Sequence, residues 1–196
     1  MYTIPFRQIH LDFHTSHLIQ DVGAEFNASD FTETLRSAHV ESINIFAKCH
    51  HGYAYYPSRI VPVHPSLKFD LLSSMIESLH KVGIRCPLYV TVVWDEHAAE
   101  THPEWLQMDS SGCVVGRKPY GTNEESERWY YLCVNSPYLE YVSAQVKELI
   151  DLYHSVYGID GFWFDILKYS SDGCSCVNCR RGMLSEGLDP SDLETR

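Results

Sequence analysis

Side chains that could carry out chemistry recur directly after four apolar segments of this 196-residue chain. Carboxylates can act as nucleophiles, and imidazole offers one donor and one acceptor to a polyhydroxylated ligand. These side chains are His14, Thr15, Ser16 and His17 after the first segment; Lys48, His50, His51 and Tyr53 after the second; Trp94, Asp95, Glu96 and His97 after the third; and Asp165 at the end of the fourth. The recurrence predicts one polar site built from several segment ends.

The elements that must position these residues alternate between strands and helices. Strands are predicted at Gln8–Phe13, Ser42–Lys48, Arg85–Trp94 and Gly161–Leu167. Helices are predicted from an N-cap within Asn27–Asp30 to about Val40, from Asp70 to Gly83, from Ser136 to Tyr153 and from Cys176 to Glu186. Between the third strand and the helix at Ser136 we expect a long irregular segment with a small hairpin at Met108–Val115. Strand–helix units repeated four times indicate an α/β fold with a parallel sheet, in which ligands bind at the carboxyl ends of the strands.

Two of the chemically suggestive positions also have plain structural interpretations. Asp165 follows the apolar run Phe162-Trp163-Phe164, and could be a catalytic carboxylate or the N-cap of a following helix. Trp163 is expected in the core. His50 and His51 by themselves would be one packed and one solvated histidine, because neighbouring residues of an extended chain point to opposite sides.

The seven cysteines are an odd number, and no apolar leader precedes the first strand. We therefore expect reduced thiols, no secretory signal and a cytoplasmic location. Cys174, Cys176 and Cys179 form a Cys-x-Cys-x-x-Cys cluster that could hold a structural zinc, the one cofactor suggested by the sequence. The alternative is a set of unmetallated cysteines at the start of a helix. Tetrahedral zinc needs a fourth ligand, for which the candidates are Cys133, Cys113 and His154.

The composition excludes several classes of protein. There are 15 Lys and Arg against 26 Asp and Glu, a net charge of −11, which argues against binding to nucleic acid or to an anionic membrane surface. No apolar stretch approaches the roughly 18–20 residues of a membrane span. The 13 Tyr and 4 Trp residues suit sugar or peptide surfaces as well as ordinary cores.

Three stretches together resemble the α-L-fucosidases of glycoside hydrolase families 29 and 151 and the related group called hypothetical glycosyl hydrolase 6. The first is Ala47–Ser58, with its His-His pair after the second strand; the second is the helix Tyr141–Tyr153; the third is Gly158–Asp165, which ends in Trp-Phe-Asp. The cysteine cluster followed by Arg180-Arg181-Gly182-Met183 is also similar to bacterial relatives of the group.

The resemblance implies that residues 1–196 are the N-terminal part of a (β/α)8 TIM-barrel catalytic domain, with about four β/α units present. It implies a retaining glycosidase acting on a carbohydrate, with Asp165 as nucleophile. The implied substrate-binding residues are His14, His50, His51, Tyr53 and Trp94. A retaining enzyme needs a second carboxylate roughly 5–5.5 Å from the first. The family's acid/base comes later in the chain, and Asp95 and Glu96 match no such motif.

Two other functions stay open. The chain could be a non-catalytic sugar-binding or structural half barrel that lacks the acid/base, or a zinc-stabilised interaction module. The unpaired strand edges of a half barrel would favour self-association into a homo-oligomer.

Overall fold

The computed structural model describes residues 4–116, 129–171 and 173–192. The chain divides into two compact units: Met1–Val90 with Ala144–Asp165, and Thr91–Ser143 with Ile166–Arg196. Within the described ranges, none of the helices has the length and apolar character that crossing a bilayer requires.

One sheet holds four parallel strands, neighbours in the order in which they occur along the chain. They are β1 (Gln8–His10), β2 (Ser42–Lys48), β3 (Leu88–Thr91) and β4 (Phe162–Asp165). Ile9 lies opposite Ile43, and Ile45 lies opposite Leu88. Parallel strands in sequence order with helical crossovers form the first half of a (β/α)8 barrel, which confirms the predicted fold class.

The first two helices begin where local signals place them, and the first ends at Ser37, three residues before its predicted end. Helix α1 (Ala28–Ser37) begins after Asn27, whose side chain accepts hydrogen bonds from two backbone amides of the first turn. Helix α2 (Leu71–Lys81) begins after Asp70, which accepts from the Ser73 amide at 2.9 Å. Gly83, with φ of +76°, follows its end. Both helices therefore follow the capping rules on which their prediction rested.

Burial differs sharply between the strands. Every residue of β2 and β3 is buried, as expected for parallel strands covered on both faces. In β4, Trp163 is 49% exposed and Phe164 is 48% exposed. The expectation that Trp163 lies in the core is therefore wrong. The reason is that β4 is the edge strand of this sheet, so neighbours cover it from one side.

The observed strand β3 is shorter than the predicted strand Arg85–Trp94. Its regular pairing ends at Thr91, although the apolar run continues to Trp94. The segment after it was expected to be irregular, but it contains helix α3 (Glu96–Thr101) and a 3₁₀ turn at Pro103–Trp105. Met108 pairs antiparallel with Val114, which confirms the small hairpin. Residues 117–128 of this connection lie outside the described part of the chain.

The helix expected from Ser136 changes its winding along its length. Helix α4 (Tyr138–Leu149) begins after Ser136, whose hydroxyl accepts from the Tyr138 amide at 3.2 Å. It continues as a π-helical segment, Ile150–His154, and ends in the short helix α5 (Ser155–Tyr157). Helix α6 (Val177–Ser185) begins within the cysteine cluster, directly after Cys176, and lies close to its predicted bounds.

Candidate active site

Asp165 is the last residue of β4, at the carboxyl end of the parallel sheet. The Tyr89 hydroxyl donates a hydrogen bond to Asp165 Oδ2 at 2.6 Å, and His50 Nε2 lies 4.0 Å from the same oxygen. The side chain is 33% exposed. Among the described residues, the contacts given for this carboxylate both involve Oδ2.

The chain turns immediately after this carboxylate. Ile166 has φ of +52°, a left-handed conformation that is unusual for a β-branched residue. This backbone angle ends β4 at Asp165, two residues earlier than the apolar pattern predicts. Strained backbone of this kind is concentrated at functional sites, so its position beside Asp165 fits a site at this strand end.

Tyr89, on β3, is the residue that the sequence analysis missed. Its ring is fully buried and stacks on Phe46 of β2, with centroids 3.7 Å apart and planes within 5°. Such packing holds the aromatic ring, and therefore the hydroxyl, in one position. One feature of the sequence could have indicated Tyr89. It is a tyrosine inside a strand that is buried on both faces, where its hydroxyl needs a hydrogen-bond partner.

His14 and His50 form a stacked pair beside this carboxylate. Their ring centroids are 4.0 Å apart, and the backbone N–H of His50 donates to His14 Nδ1 at 3.4 Å. Because Nδ1 of His14 is the acceptor, its ring proton sits on Nε2, which lies 2.8 Å from Asp12 Oδ1. The structure therefore fixes the orientation of the His14 ring from both of its nitrogens.

The environment of His50 keeps its ring neutral. Burial is the main cause that lowers its pKa to about 3, and electrostatic interaction with the neighbouring His14, His51 and Lys48 lowers it further. A neutral imidazole retains one donor and one acceptor. His50 Nδ1 lies 3.5 Å from the Tyr89 hydroxyl, so the imidazole belongs to the same polar group as Asp165.

The loop that carries His14 is anchored by buried polar groups. The hydroxyls of Tyr55 and Thr15 are 2.5 Å apart, and the backbone N–H of Thr15 also donates to the Tyr55 hydroxyl at 3.3 Å. Tyr53 lies in the same region, with its ring 5.7 Å from His17 and 5.8 Å from His64.

Strand β2 carries an irregularity before the His-His pair. Its pairing register with β3 shifts between Phe46 and Lys48, and a bulge of this type re-aims side chains next to active sites.

Trp94 belongs to the second compact unit. Its ring stacks near Trp129 at 6.4 Å and meets Tyr131 edge-on at 5.9 Å. The Lys168 ammonium lies 5.1 Å from the centroid of the Trp94 ring, within the range of a cation–π interaction. The predicted role of Trp94 against a sugar stays a prediction.

The two carboxylates after β3 accept hydrogen bonds from backbone amides. Asp95 is fully buried and accepts from the Ala98 amide at 2.9 Å as the N-cap of α3. Glu96 accepts from the Tyr130 amide at 2.8 Å. These contacts agree with the absence of an acid/base motif around either residue in the sequence.

The cysteine cluster acquires a fourth member in the structure. Cys133, Cys174, Cys176 and Cys179 are all buried, and their sulfur atoms lie within 4.8 Å of one another. Of the three sequence candidates for the fourth position, the fold brings Cys133 to the cluster. Neither Cys113, which is exposed, nor His154 is a member of this group among the described residues.

Comparison with known proteins gives the family. Residues 27–166 match the model of the family described as hypothetical glycosyl hydrolase 6. No curated protein sequence matches significantly. The structure is similar to α-L-fucosidase isoenzyme 2 from Paenibacillus thiaminolyticus, with a TM-score of 0.84 and 40% identity. That match covers 97% of this chain and 27% of the fucosidase, so the chain spans about a quarter of that enzyme.

Two further solved structures share the fold at low identity. A hypothetical protein from Ruminiclostridium thermocellum has a TM-score of 0.60 and 14% identity, over 92% of this chain and 88% of that one. An α-L-fucosynthase from Thermotoga maritima has a TM-score of 0.50 and 18% identity, over 74% of this chain and 30% of that one. Because the family model matches most of the chain, this glycoside hydrolase-like chain belongs to the hypothetical glycosyl hydrolase 6 family.

Proposed function

We propose that this chain supplies the nucleophile and the monosaccharide pocket of a retaining α-L-fucoside hydrolase. The observation that carries the proposal is the Asp165 carboxylate at the end of β4, oriented by Tyr89 at 2.6 Å and flanked by the stacked His14 and His50. The substrate class is supported by 40% identity to an α-L-fucosidase.

In the proposed reaction, Oδ1 of Asp165 attacks the anomeric carbon of the fucoside. The bond from that carbon to the leaving oxygen breaks, and a glycosyl ester of Asp165 forms. Water then hydrolyses the ester and regenerates the carboxylate. The leaving oxygen takes a proton from a second carboxylate. We assign that role to a residue following this chain in a longer enzyme, because Asp95 and Glu96 already hold backbone amides.

The sugar hydroxyls would be held by His14, His50 and His51, with Tyr53 beside them, whereas contact between Trp94 and the sugar stays a prediction from the family resemblance. A neutral His50 suits this role, because a sugar hydroxyl needs a donor and an acceptor rather than a charge. Each such hydrogen bond contributes on the order of 0.5–1.5 kcal/mol to binding. The imidazole pair therefore orients the sugar more than it provides affinity.

A non-catalytic sugar-binding half barrel is the second candidate function. It is favoured by the same two carboxylates, since both already accept hydrogen bonds from backbone amides and neither is assigned the acid/base role. Self-association through the unpaired strand edges and a cytoplasmic location stay predictions. The −11 charge supports a partner other than nucleic acid.

Covalent labelling separates the two candidates. A 2-fluoro-fucosyl donor with an activated leaving group should react once with the longest natural form of the protein, because such donors need little leaving-group protonation. Peptide mass spectrometry should find the label within Phe162–Leu167. The Asp165→Asn variant should take up no label, whereas Asp151→Asn, which removes an exposed carboxylate of the π-helical segment, should label normally.

The outcome decides between nucleophile and binding module. A label on another carboxylate would remove Asp165 from the role of nucleophile. Saturable binding of fucose without any label would favour the sugar-binding half barrel.

A further inference from the structure

Three cysteines that are close in the sequence and a fourth that is distant from them converge on one point in the second unit. The sulfur atoms of Cys133 and Cys179 are 3.4 Å apart, and those of Cys133 and Cys176 are 3.6 Å apart. All four sulfurs, including that of Cys174, lie within 4.8 Å of one another. A disulfide requires about 2.0 Å, so these contacts are between separate thiol groups.

These spacings match the ligand shell of a single metal ion. Four thiolates at about 2.3 Å from a tetrahedral zinc ion are about 3.8 Å from one another. Tetrahedral four-sulfur sites take zinc or iron–sulfur centres. Sulfur atoms that all lie within 4.8 Å leave room for one ion and none for bridging sulfides. We propose that Cys133, Cys174, Cys176 and Cys179 bind one structural zinc ion.

The local structure favours thiolates at this point. Cys176 is the N-cap of α6 and Cys179 lies three residues into that helix, so both sulfurs are next to the positive end of the helix dipole. The Asn135 amide also donates a hydrogen bond to Cys179 Sγ at 3.4 Å. Hydrogen bonds to ligand atoms from neighbouring side chains orient the ligands of a metal site.

The site would fasten the segment that follows β4. Cys133 is separated from Cys176 and Cys179 by 43 and 46 positions, so one ion would close a long loop of the chain. Ser175 N–H donates to the Met108 carbonyl at 2.7 Å, which lays the same segment along the hairpin. Four protein ligands leave no open coordination position, so the role of this ion is to hold the fold. This inference is independent of the proposed hydrolase activity.

Metal analysis of the purified full chain tests the site directly. We expect about one zinc per chain, no stoichiometric iron, and release of the zinc when a mercurial reagent modifies the thiols. Replacement of zinc by cobalt should give the intense visible bands of tetrahedral cobalt–thiolate coordination. A metal-free chain, stoichiometric iron, or a disulfide within the cluster would overturn the proposal.

Variants test the ligand set. Cys133→Ser should reduce the bound zinc to near zero, whereas Cys113→Ser, which changes an exposed cysteine outside the cluster, should keep it. Cys179→His should retain the metal, because three cysteines and one histidine also form a structural zinc site. This variant keeps the test decisive if Cys133→Ser does not fold. Asn135→Ala should weaken zinc affinity about 10- to 100-fold. Full zinc content in Cys133→Ser would exclude Cys133 as a ligand.

Discussion

Two pairs of an aspartate and a histidine lie at opposite ends of β4. Asp160 and His80 form the pair before the strand begins, and Asp165 and His50 form the pair at its carboxyl end. Asp160 lies two residues before β4. Its Oδ2 is 2.8 Å from His80 Nε2 and accepts a hydrogen bond from the backbone N–H of Cys86, also at 2.8 Å. Asp165 is the last residue of β4. Its Oδ2 accepts a hydrogen bond from the Tyr89 hydroxyl at 2.6 Å and lies 4.0 Å from His50 Nε2. The two pairs use the same residue types with different geometry.

The difference lies in what the surrounding structure leaves available. His80 Nδ1 also contacts the Tyr157 carbonyl at 3.1 Å, so the Asp160 group connects the end of α2, the approach to β3 and the approach to β4. In parallel barrels the amino ends of the strands carry stability, and the carboxyl ends carry chemistry. The identity of a His–Asp pair therefore does not reveal its role, whereas its position on the sheet does.

Exchanging each aspartate for asparagine should separate the two roles, with the largest effect at Asp165. We expect Asp165→Asn to lower turnover of an aryl fucoside by on the order of 10⁴ to 10⁶, the scale seen when a nucleophile is removed. Asp160→Asn should leave turnover within a few fold but cost about 1–3 kcal/mol of unfolding free energy, because it weakens hydrogen bonds to a carboxylate.

Steady-state kinetics on the longest natural form and urea unfolding of both variants measure this contrast. The comparison fails if Asp160→Asn loses activity while keeping its stability. It also fails if Asp165→Asn unfolds more readily than Asp160→Asn.

Tyr89→Phe should have the next largest effect. It removes the hydrogen bond to Asp165 but preserves the ring stack on Phe46. A hydrogen bond to a charged group contributes about 1.5–3 kcal/mol, so kcat/KM should fall about 10- to 150-fold. The matched control is Tyr153→Phe, which removes a hydroxyl bonded to Asp70 at 2.8 Å and should leave kcat/KM unchanged. Unchanged kcat/KM in Tyr89→Phe would show that the hydroxyl does not orient the nucleophile.

A further prediction concerns the pH dependence of stability. Burial lowers the pKa of His50 in the folded chain from 6.5 to about 3. Below about pH 6.5 the unfolded chain therefore binds a proton at His50 that the folded chain does not bind. The unfolding free energy should be insensitive to this group above pH 6.5 and should fall as the pH drops from there towards 3.

Urea unfolding across this pH range should give a steeper loss of stability in the wild-type chain than in His50→Gln. The control variant His102→Gln changes a histidine whose side chain is 45% exposed, and it should follow the wild-type slope. Parallel slopes for the wild type and His50→Gln would contradict the burial of a neutral imidazole at the Asp165 end of the sheet.

The sequence by itself determined the parts of the fold that depend on a few neighbouring residues. Asn27 and Asp70 cap their helices, the apolar run Ser42–Lys48 forms β2, and Asp165 ends an apolar strand. Three of the clustered cysteines lie within six residues, so their proximity also needed no fold. Capping, periodicity and strand ends are local properties, and local interactions select them directly.

Only the tertiary structure decided which distant residues meet. It chose Cys133 as the fourth member of the cysteine group, placed the Tyr89 hydroxyl on Asp165, and stacked His14 on His50. It also left Trp163 half exposed, because β4 is an edge strand. These pairs join residues 36 to 76 positions apart. No local pattern encodes such contacts, since they depend on the order and register of strands that only the packed sheet defines.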